Sequence, residues 1–178
     1  MRAEVVAMTG ENLDMDAIKK AGDILKAGGL VAFPTETVYG LGGNALDPQA
    51  SMKIYAAKGR PSDNPLIVHI AELEQLEKIT TEIPEGAKIL AEKYWPGPLT
   101  MILPKADIVP RETTGGLDSV AVRFPSDRIA QELIKAGGGF VAAPSANTSG
   151  RPSPTMAEHV EEDLSLIHIS EPTRLALI

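Results

Sequence analysis

Short apolar runs alternate with segments of helical periodicity along most of this chain. The apolar runs predict strands at residues 30–33, 66–70, 99–103, 120–122 and 140–143. Helical spacing predicts helices at residues 18–25, 48–56, 72–79, 84–94 and 127–136, and a last one that follows residues 153–155. In the helix opened by Asp47-Pro48, Met52, Tyr55 and Ala56 are predicted to form the inner face. Strands that alternate with helices in this way indicate an α/β domain.

The composition narrows the class of protein further. The 178 residues carry a formal net charge of -7 and include no cysteine, so disulfides, thiolate metal sites and cysteine nucleophiles are excluded. The N-terminus contains no signal-peptide core, and no apolar run approaches the ~18 residues of a membrane span. We therefore expect one soluble, cytoplasmic domain with no membrane contact. The acidic balance argues against general nucleic-acid coating, although one basic face is compatible with it.

The common nucleotide-binding and metal-binding motifs are missing from the sequence. It contains no G-x-x-x-x-G-K-[ST] segment, which excludes a P-loop. Residues 40–45 loosely resemble a dinucleotide fingerprint, but the next helix starts several residues later and no acidic residue ends a following strand at the expected distance. We predict instead that these glycines allow a close backbone approach or a sharp turn. The spacing of His69, His159 and His168 does not fit a zinc site.

Two polar clusters in the first half of the chain are candidates for ligand binding. Thr35, Glu36 and Thr37 directly follow a predicted strand, although strand alternation alone can also place the two threonines on one face. Lys58 and Arg60 flank a glycine before a proline-stiffened loop. Such cations suit a polyphosphate, and they are equally favourable at a helix C-terminus through the helix dipole.

Three further features lie in later strands and loops. Arg123 stands inside an apolar strand, where a cation needs either an internal carboxylate or an anionic ligand. The loop at residues 143–155 is rich in hydroxyl and amide groups, which suit nucleotide recognition but also helix capping. His69 lies within a strand, where a histidine is more often a hydrogen-bonded core residue than a catalyst.

Taken together, these clusters resemble a known family. The chain is similar to the YrdC-type threonylcarbamoyl-AMP synthases over residues 12–164, in five motifs that occur in the family's order. The motifs are Pro34-Thr35-Glu36-Thr37-Val38-Tyr39-Gly40-Leu41-Gly42, Lys58-Gly59-Arg60-Pro61 with Asn64-Pro65-Leu66, Trp95-Pro96-Gly97-Pro98-Leu99-Thr100, Val122-Arg123, and Pro144-Ser145-Ala146-Asn147. The resemblance implies a YrdC-like twisted mixed sheet flanked by helices, with an open ligand cleft.

The resemblance also implies a nucleotidyltransferase reaction. Such an enzyme joins L-threonine, bicarbonate and ATP into threonylcarbamoyl-AMP and pyrophosphate, with Mg²⁺ accompanying ATP, and passes the product to the tRNA threonylcarbamoyl-transfer machinery. By the same resemblance, Lys58 and Arg60 act as the catalytic cations. The implied ATP-binding set is Lys58, Arg60, Ser62, Ser119, Asn147 and Thr155, and the implied threonine-binding set is Thr35, His69, Arg123 and Ser145.

The last fourteen residues depart from the family pattern. Relatives continue after Leu164 with further strands that carry a serine near threonine and an arginine near ATP, whereas residues 165–178 resemble translated sequencing-adapter text. We therefore predict an incomplete catalytic domain at residues 1–164 and a non-native tail at residues 165–178, with a sheet edge left unpaired. The alternative for these last residues is a native edge strand with a frayed end. Two alternatives remain open: a double-stranded-RNA-binding module that contacts tRNA without catalysis, and a carbamoyl-transfer maturation domain.

Overall fold

The computed structural model describes residues 4–165 and 175–177. Its strands are β1 (Glu4–Val5), β2 (Leu30–Phe33), β3 (Gly40–Asn44), β4 (Ile67–His69), β5 (Thr100–Pro104), β6 (Ser119–Arg123), β7 (Val141–Ala142) and β8 (Leu175–Leu177). Its helices are α1 (Met15–Lys26), α2 (Pro48–Lys58), α3 (Glu74–Ile79), α4 (Glu85–Tyr94), α5 (Arg128–Ala136) and α6 (Ala157–Ser165). The five predicted strands and six predicted helices are therefore confirmed, with ends that shift by a few residues.

The strands form one mixed sheet in the order β1-β8-β2-β3-β7-β4-β6-β5. Parallel pairing joins β8 to both β1 and β2, and β4 to β6, whereas the remaining neighbours are antiparallel. This twisted α/β sheet confirms the predicted fold class. Because His69 and Arg123 are register partners on β4 and β6, the sheet brings these two side chains next to each other.

Helices cover both faces of the sheet, and β2 contributes side chains to the core on each face. Its alternate side chains point to opposite faces, and all four of its residues are buried. Leu30 and Ala32 belong to the larger core cluster, and Val31 and Phe33 belong to the cluster that α1 and α5 help to form. None of the helices in the part of the chain that the structure describes has the length and apolar character needed to cross a membrane.

The glycine-rich segment at residues 40–44 is the strand β3, so of the two roles predicted for these glycines the sharp turn is wrong. It lies between β2 and β7 in the sheet, and its first four residues are buried. Glycine is required there because a Cβ on Gly42 would lie 2.8 Å from both Phe33 Cε1 and Val141 Cγ1. Sequence periodicity misses such a strand because glycines carry no side chains to alternate.

We expect Gly42→Ala to lower the free energy of unfolding by about 1–3 kcal/mol, because the added methyl group overpacks the core. Urea unfolding monitored by circular dichroism measures the change. Gly86→Ala is the matched control, since a Cβ on that α4 residue meets nothing within 4 Å. It should raise stability by about 0.5–1 kcal/mol through helix propensity alone. Equal stability of Gly42→Ala and the unchanged protein would contradict this packing argument.

The inner face of α2 differs from the predicted one. Met52 and Ala56 are exposed, and of the three predicted residues only Tyr55 is buried. The buried face of α2 also includes two polar residues, Ser51 and Lys58. The core accommodates the Ser51 hydroxyl because its Oγ forms a buried hydrogen bond with Thr113 Oγ1, at 2.8 Å. Long-range hydrogen bonds of this kind are invisible to a pattern that counts only apolar positions.

Part of the predicted non-native tail forms a strand. Residues Leu175–Leu177 pair in parallel with β2 on one side and β1 on the other, so the predicted unpaired edge is wrong at β2. Residues 166–174 and 178 lie outside the described residues. The origin of residues 165–178 therefore stays a prediction.

Candidate functional site

A cleft of about 300 Å³ opens over β4, and the predicted ligand-binding clusters meet there. Ile67 and His69 both line it, because residues two apart on a strand point to the same face. All four residues of the predicted threonine set line this cleft, together with one of the two predicted catalytic cations: Thr35, His69, Arg123, Ser145 and Arg60. Residues distant in sequence thus converge on one small volume.

Arg123 has an internal carboxylate partner, which is one of the two kinds of partner that the sequence left open. Its Nη2 lies 2.8 Å from Glu36 Oε1, and both side chains are largely buried. The same Nη2 donates to Thr37 Oγ1 at 3.2 Å. Arg123 Nε is buried and has no hydrogen-bond partner in the described part of the chain. The guanidinium is therefore charge-balanced by Glu36, and one of its buried N–H groups is left unpaired within the described residues.

Thr35 lies in a tight turn rather than on a strand, so the strand-alternation alternative is wrong. Its Oγ1 donates to Val38 O at 2.7 Å and accepts hydrogen bonds from the backbone N–H groups of Thr37 and Val38. These bonds hold the loop that carries Glu36 against the cleft. Sequence reasoning placed Glu36 in this cluster but missed its pairing with Arg123, which only the sheet register creates.

His69 is a buried, neutral imidazole. Burial and, to a smaller extent, the nearby Arg123 charge together lower its pKa from 6.5 to about 4. Nδ1 lies 3.0 Å from Ile67 O and donates to that carbonyl, since a carbonyl can only accept. The ring also packs edge-on against Phe33 with 6.1 Å between centroids. At neutral pH His69 can therefore donate and accept hydrogen bonds, but it carries no charge.

We expect His69 to make the fold sensitive to acid. Its pKa is about 4 in the folded state against 6.5 for the free side chain, so the unfolded chain binds the extra proton first. The free energy of unfolding should fall by roughly 3 kcal/mol from this group as the pH drops from 6.5 to 4. Urea unfolding across that pH range measures the effect, with His69→Gln as the comparison. An equal loss of stability in both proteins would contradict the assignment.

Lys58 ends α2 and is buried beneath the loop that follows β7. Its Nζ donates to the backbone carbonyls of Ser145 and Asn147, with Asn147 Oδ1 at 3.5 Å. The pKa of Lys58 is lowered from 10.5 to about 8, mainly by burial and also by the Arg60 charge, whereas Asp163 opposes this change. Lys58 does not line the cleft itself, but it contacts Ser145, which does.

The loops around Lys58 are held by their own hydrogen bonds. Arg60 donates from Nε to Asn64 O at 3.4 Å and from Nη2 to Pro65 O at 3.3 Å, which lays its guanidinium along the cleft. Ser145 Oγ donates to Asn147 Oδ1 at 2.6 Å. The amide of Asn147 is therefore a structural centre of its loop, whatever ligand it also contacts.

Five of the six residues of the predicted ATP set do not line the cleft. Lys58 and Asn147 lie next to it, since both contact Ser145, whereas Ser62, Ser119 and Thr155 lie elsewhere. Ser62 is exposed in the loop after α2, and Thr155 is exposed just before α6. Ser119 begins β6, at the opposite end of that strand from Arg123. Their predicted contact with a nucleotide stays a prediction. Within the described residues, no group of three or more His, Cys, Asp or Glu side chains could hold a metal ion.

This architecture defines a class of protein, an α/β protein with a small cleft lined by two arginines, a neutral histidine and hydroxyl groups. Comparison with known proteins specifies the family. The Sua5/YciO/YrdC family model, described as "Telomere recombination", matches residues 23–169. The chain belongs to this family.

Individual relatives agree with the family match. The threonylcarbamoyl-AMP synthase of Pyrococcus abyssi is 57% identical over 159 residues, which are 89% of this chain and 47% of the relative. The Bacillus subtilis threonylcarbamoyl-AMP synthase is 57% identical over 148 residues, which are 83% of this chain and 43% of the relative. The crystal structure of P. abyssi Sua5 complexed with L-threonine superposes with a TM-score of 0.86 at 50% identity, covering 99% of this chain and 49% of that one. The chain thus spans about half the length of these relatives.

Proposed function

We propose that this chain is the synthase unit of a threonylcarbamoyl-AMP synthase, a nucleotidyltransferase that acts in the cytoplasm. The observation that carries the proposal is the convergence of Thr35, His69, Arg123 and Ser145 on one cleft. The similar P. abyssi Sua5 structure contains L-threonine. The reaction converts L-threonine, bicarbonate and ATP into threonylcarbamoyl-AMP, pyrophosphate and water. The product serves the tRNA threonylcarbamoyl-transfer machinery.

Threonine is proposed to bind with its carboxylate at Arg123. The Arg123 side chain lines the cleft, and hydrogen bonds between arginine and a carboxylate are strong because both groups are charged. Glu36 holds the guanidinium in place from the other side. The neutral His69 ring and the Ser145 hydroxyl then supply uncharged hydrogen-bonding groups for the amine and the side-chain hydroxyl. A neutral histidine avoids repulsion with the threonine ammonium.

ATP is proposed to bind beside threonine, with its phosphates near Arg60 and Lys58. Arg60 already borders the cleft, whereas Lys58 must exchange one of its loop carbonyls for a phosphate oxygen. The threonine amine and bicarbonate form a carbamate with loss of water. A carbamate oxygen then attacks the α-phosphorus, the bond from that phosphorus to the bridging oxygen breaks, and the two outer phosphates leave as pyrophosphate. The two cations stabilise the negative charge that develops on the phosphates.

Mg²⁺ is proposed to arrive with ATP. The cleft is lined by cationic and hydroxyl side chains, which fit an ion coordinated by phosphate oxygens and water rather than by a carboxylate cage. When bound, it would neutralise phosphate charge.

The test is release of pyrophosphate from ATP that depends on both threonine and bicarbonate. It is measured on this chain and on a longer version that continues with the remaining part of the P. abyssi relative. Dependence on both substrates in either protein supports the proposal. Absence of release in both, together with salt-sensitive binding of double-stranded RNA, would favour the RNA-binding alternative.

A further inference from the structure

The loop at residues 145–151 is wrapped around Lys58. The ammonium donates to the carbonyls of Ser145 and Asn147, and the Lys58 carbonyl accepts from Ser149 N at 2.9 Å. Asn147 Nδ2 closes the loop by donating to Arg151 O at 2.8 Å. The position of the ammonium therefore depends on the shape of this loop.

Asp163 of α6 anchors the far end of that loop. Its Oδ1 lies 2.6 Å from Arg151 Nη1, and its Oδ2 accepts from Thr148 N at 3.3 Å. Asp163 is buried, whereas Arg151 is half-exposed, so the carboxylate is the fixed member of the pair. Because a carboxylate that bonds both a backbone N–H and a guanidinium restricts each of them, Asp163 holds two points of the loop at once.

Electrostatics also links Asp163 to Lys58. Two charged side chains act on the Lys58 ammonium, Arg60 from the next loop and Asp163 from α6. Burial and Arg60 both favour the neutral amine, whereas Asp163 favours the ammonium. Sequence reasoning passed over Asp163 because it lies in the acidic run Glu161-Glu162-Asp163, which resembles an ordinary solvated helix face.

We propose that Asp163 is a positioning residue for Lys58, because it holds the 145–151 loop that surrounds the ammonium. The effect of Asp163 on catalysis rests on the proposed function, in which Lys58 binds the phosphates of ATP. The coupling of Asp163 to Lys58 can be measured without substrate.

The first measurement is the pH titration of Lys58, followed by the ¹³Cε chemical shift in protein labelled at lysine. Asp163→Asn keeps the size of the side chain but removes its charge, and the Lys58 midpoint should fall. Glu85→Gln is the matched control, because it removes an exposed carboxylate of α4 that forms an ion pair with Lys88. The titration midpoint of Lys58 in Glu85→Gln should equal the midpoint in the unchanged protein. An unchanged midpoint in a folded Asp163→Asn protein overturns the proposal.

The second measurement is pyrophosphate release with ATP varied. In Asp163→Asn the KM for ATP should rise about tenfold or more, because a small misplacement of a binding group is costly, and activity should be lost at a lower pH on the alkaline side. Asp163→Glu keeps the charge, so its midpoint should stay near the original value, with a smaller rise in KM. If Asp163→Asn does not fold, Asp163→Glu alone tests the positioning role of Asp163. An unchanged KM for ATP in Asp163→Glu overturns that role.

The two readouts separate the inference from the proposed function. If the unchanged protein and its longer version both fail to release pyrophosphate, the proposed function fails. The Lys58 titration then tests the coupling of Asp163 to Lys58 by itself: a lower midpoint in Asp163→Asn supports the coupling, and an unchanged midpoint contradicts it.

Discussion

Replacement of Lys58 by alanine is expected to lower kcat for pyrophosphate release by about 10²- to 10³-fold. The reason is that a positioned charge or hydrogen-bond donor aimed at charge developing in the transition state is worth about 3–4 kcal/mol in comparable enzyme sites. Steady-state kinetics with saturating threonine and bicarbonate measure the effect. Near-normal turnover in Lys58→Ala would remove Lys58 from the mechanism.

Two variants control this prediction. Lys53→Ala removes a lysine from the same helix whose Nζ donates to Gly28 O at 2.7 Å, outside the cleft, so its kcat should remain within about twofold. Lys58→Arg retains a charge that is not lost at alkaline pH. Any activity it keeps should therefore not fall above pH 8, where the unchanged protein loses the Lys58 proton.

Replacement of Arg123 by lysine is expected to raise the KM for threonine by about 10- to 100-fold with a smaller change in kcat. Lysine keeps the charge but lacks the planar fork that contacts Glu36 and Thr37 while lining the cleft. Losing one charge-assisted hydrogen bond costs about 1.5–3 kcal/mol. Initial rates across threonine concentrations, and calorimetric binding of threonine, measure this change.

The control for Arg123 is Arg111→Lys, since Arg111 forms an exposed ion pair with Asp118. Exposed ion pairs contribute little, so its threonine KM should not change. An equal effect of the two substitutions would indicate a general loss of stability rather than a lost carboxylate contact.

The elements that the sequence predicted well are those whose side chains follow one period. The helix α5 is an example, since its apolar residues Ile129, Leu133 and Ile134 face the core and Asp127 caps it by accepting from Ala130 N at 2.9 Å. The strand β3 was missed because glycines show no period, and the inner face of α2 was wrong because its buried positions include Ser51 and Lys58. Local patterns fail where the native contact is long-range.

The candidate site divides in the same way. The motifs identified the residues of the cleft and the family, because the chemistry of phosphate and carboxylate recognition requires particular side chains. They did not show that Glu36 pairs with Arg123 or that Asp163 anchors the loop around Lys58. Each of these contacts joins residues more than ten positions apart, which no local pattern records.

The sequence by itself determined the α/β class, the order of the elements and the candidate ligand groups, because each depends on local side-chain chemistry and spacing. The tertiary structure decided which of those groups meet. Sheet register places Arg123 beside His69, and burial leaves that histidine neutral and the Lys58 ammonium easier to deprotonate. These properties arise from desolvation and from charges brought together by the fold, so they exist only once the chain has packed.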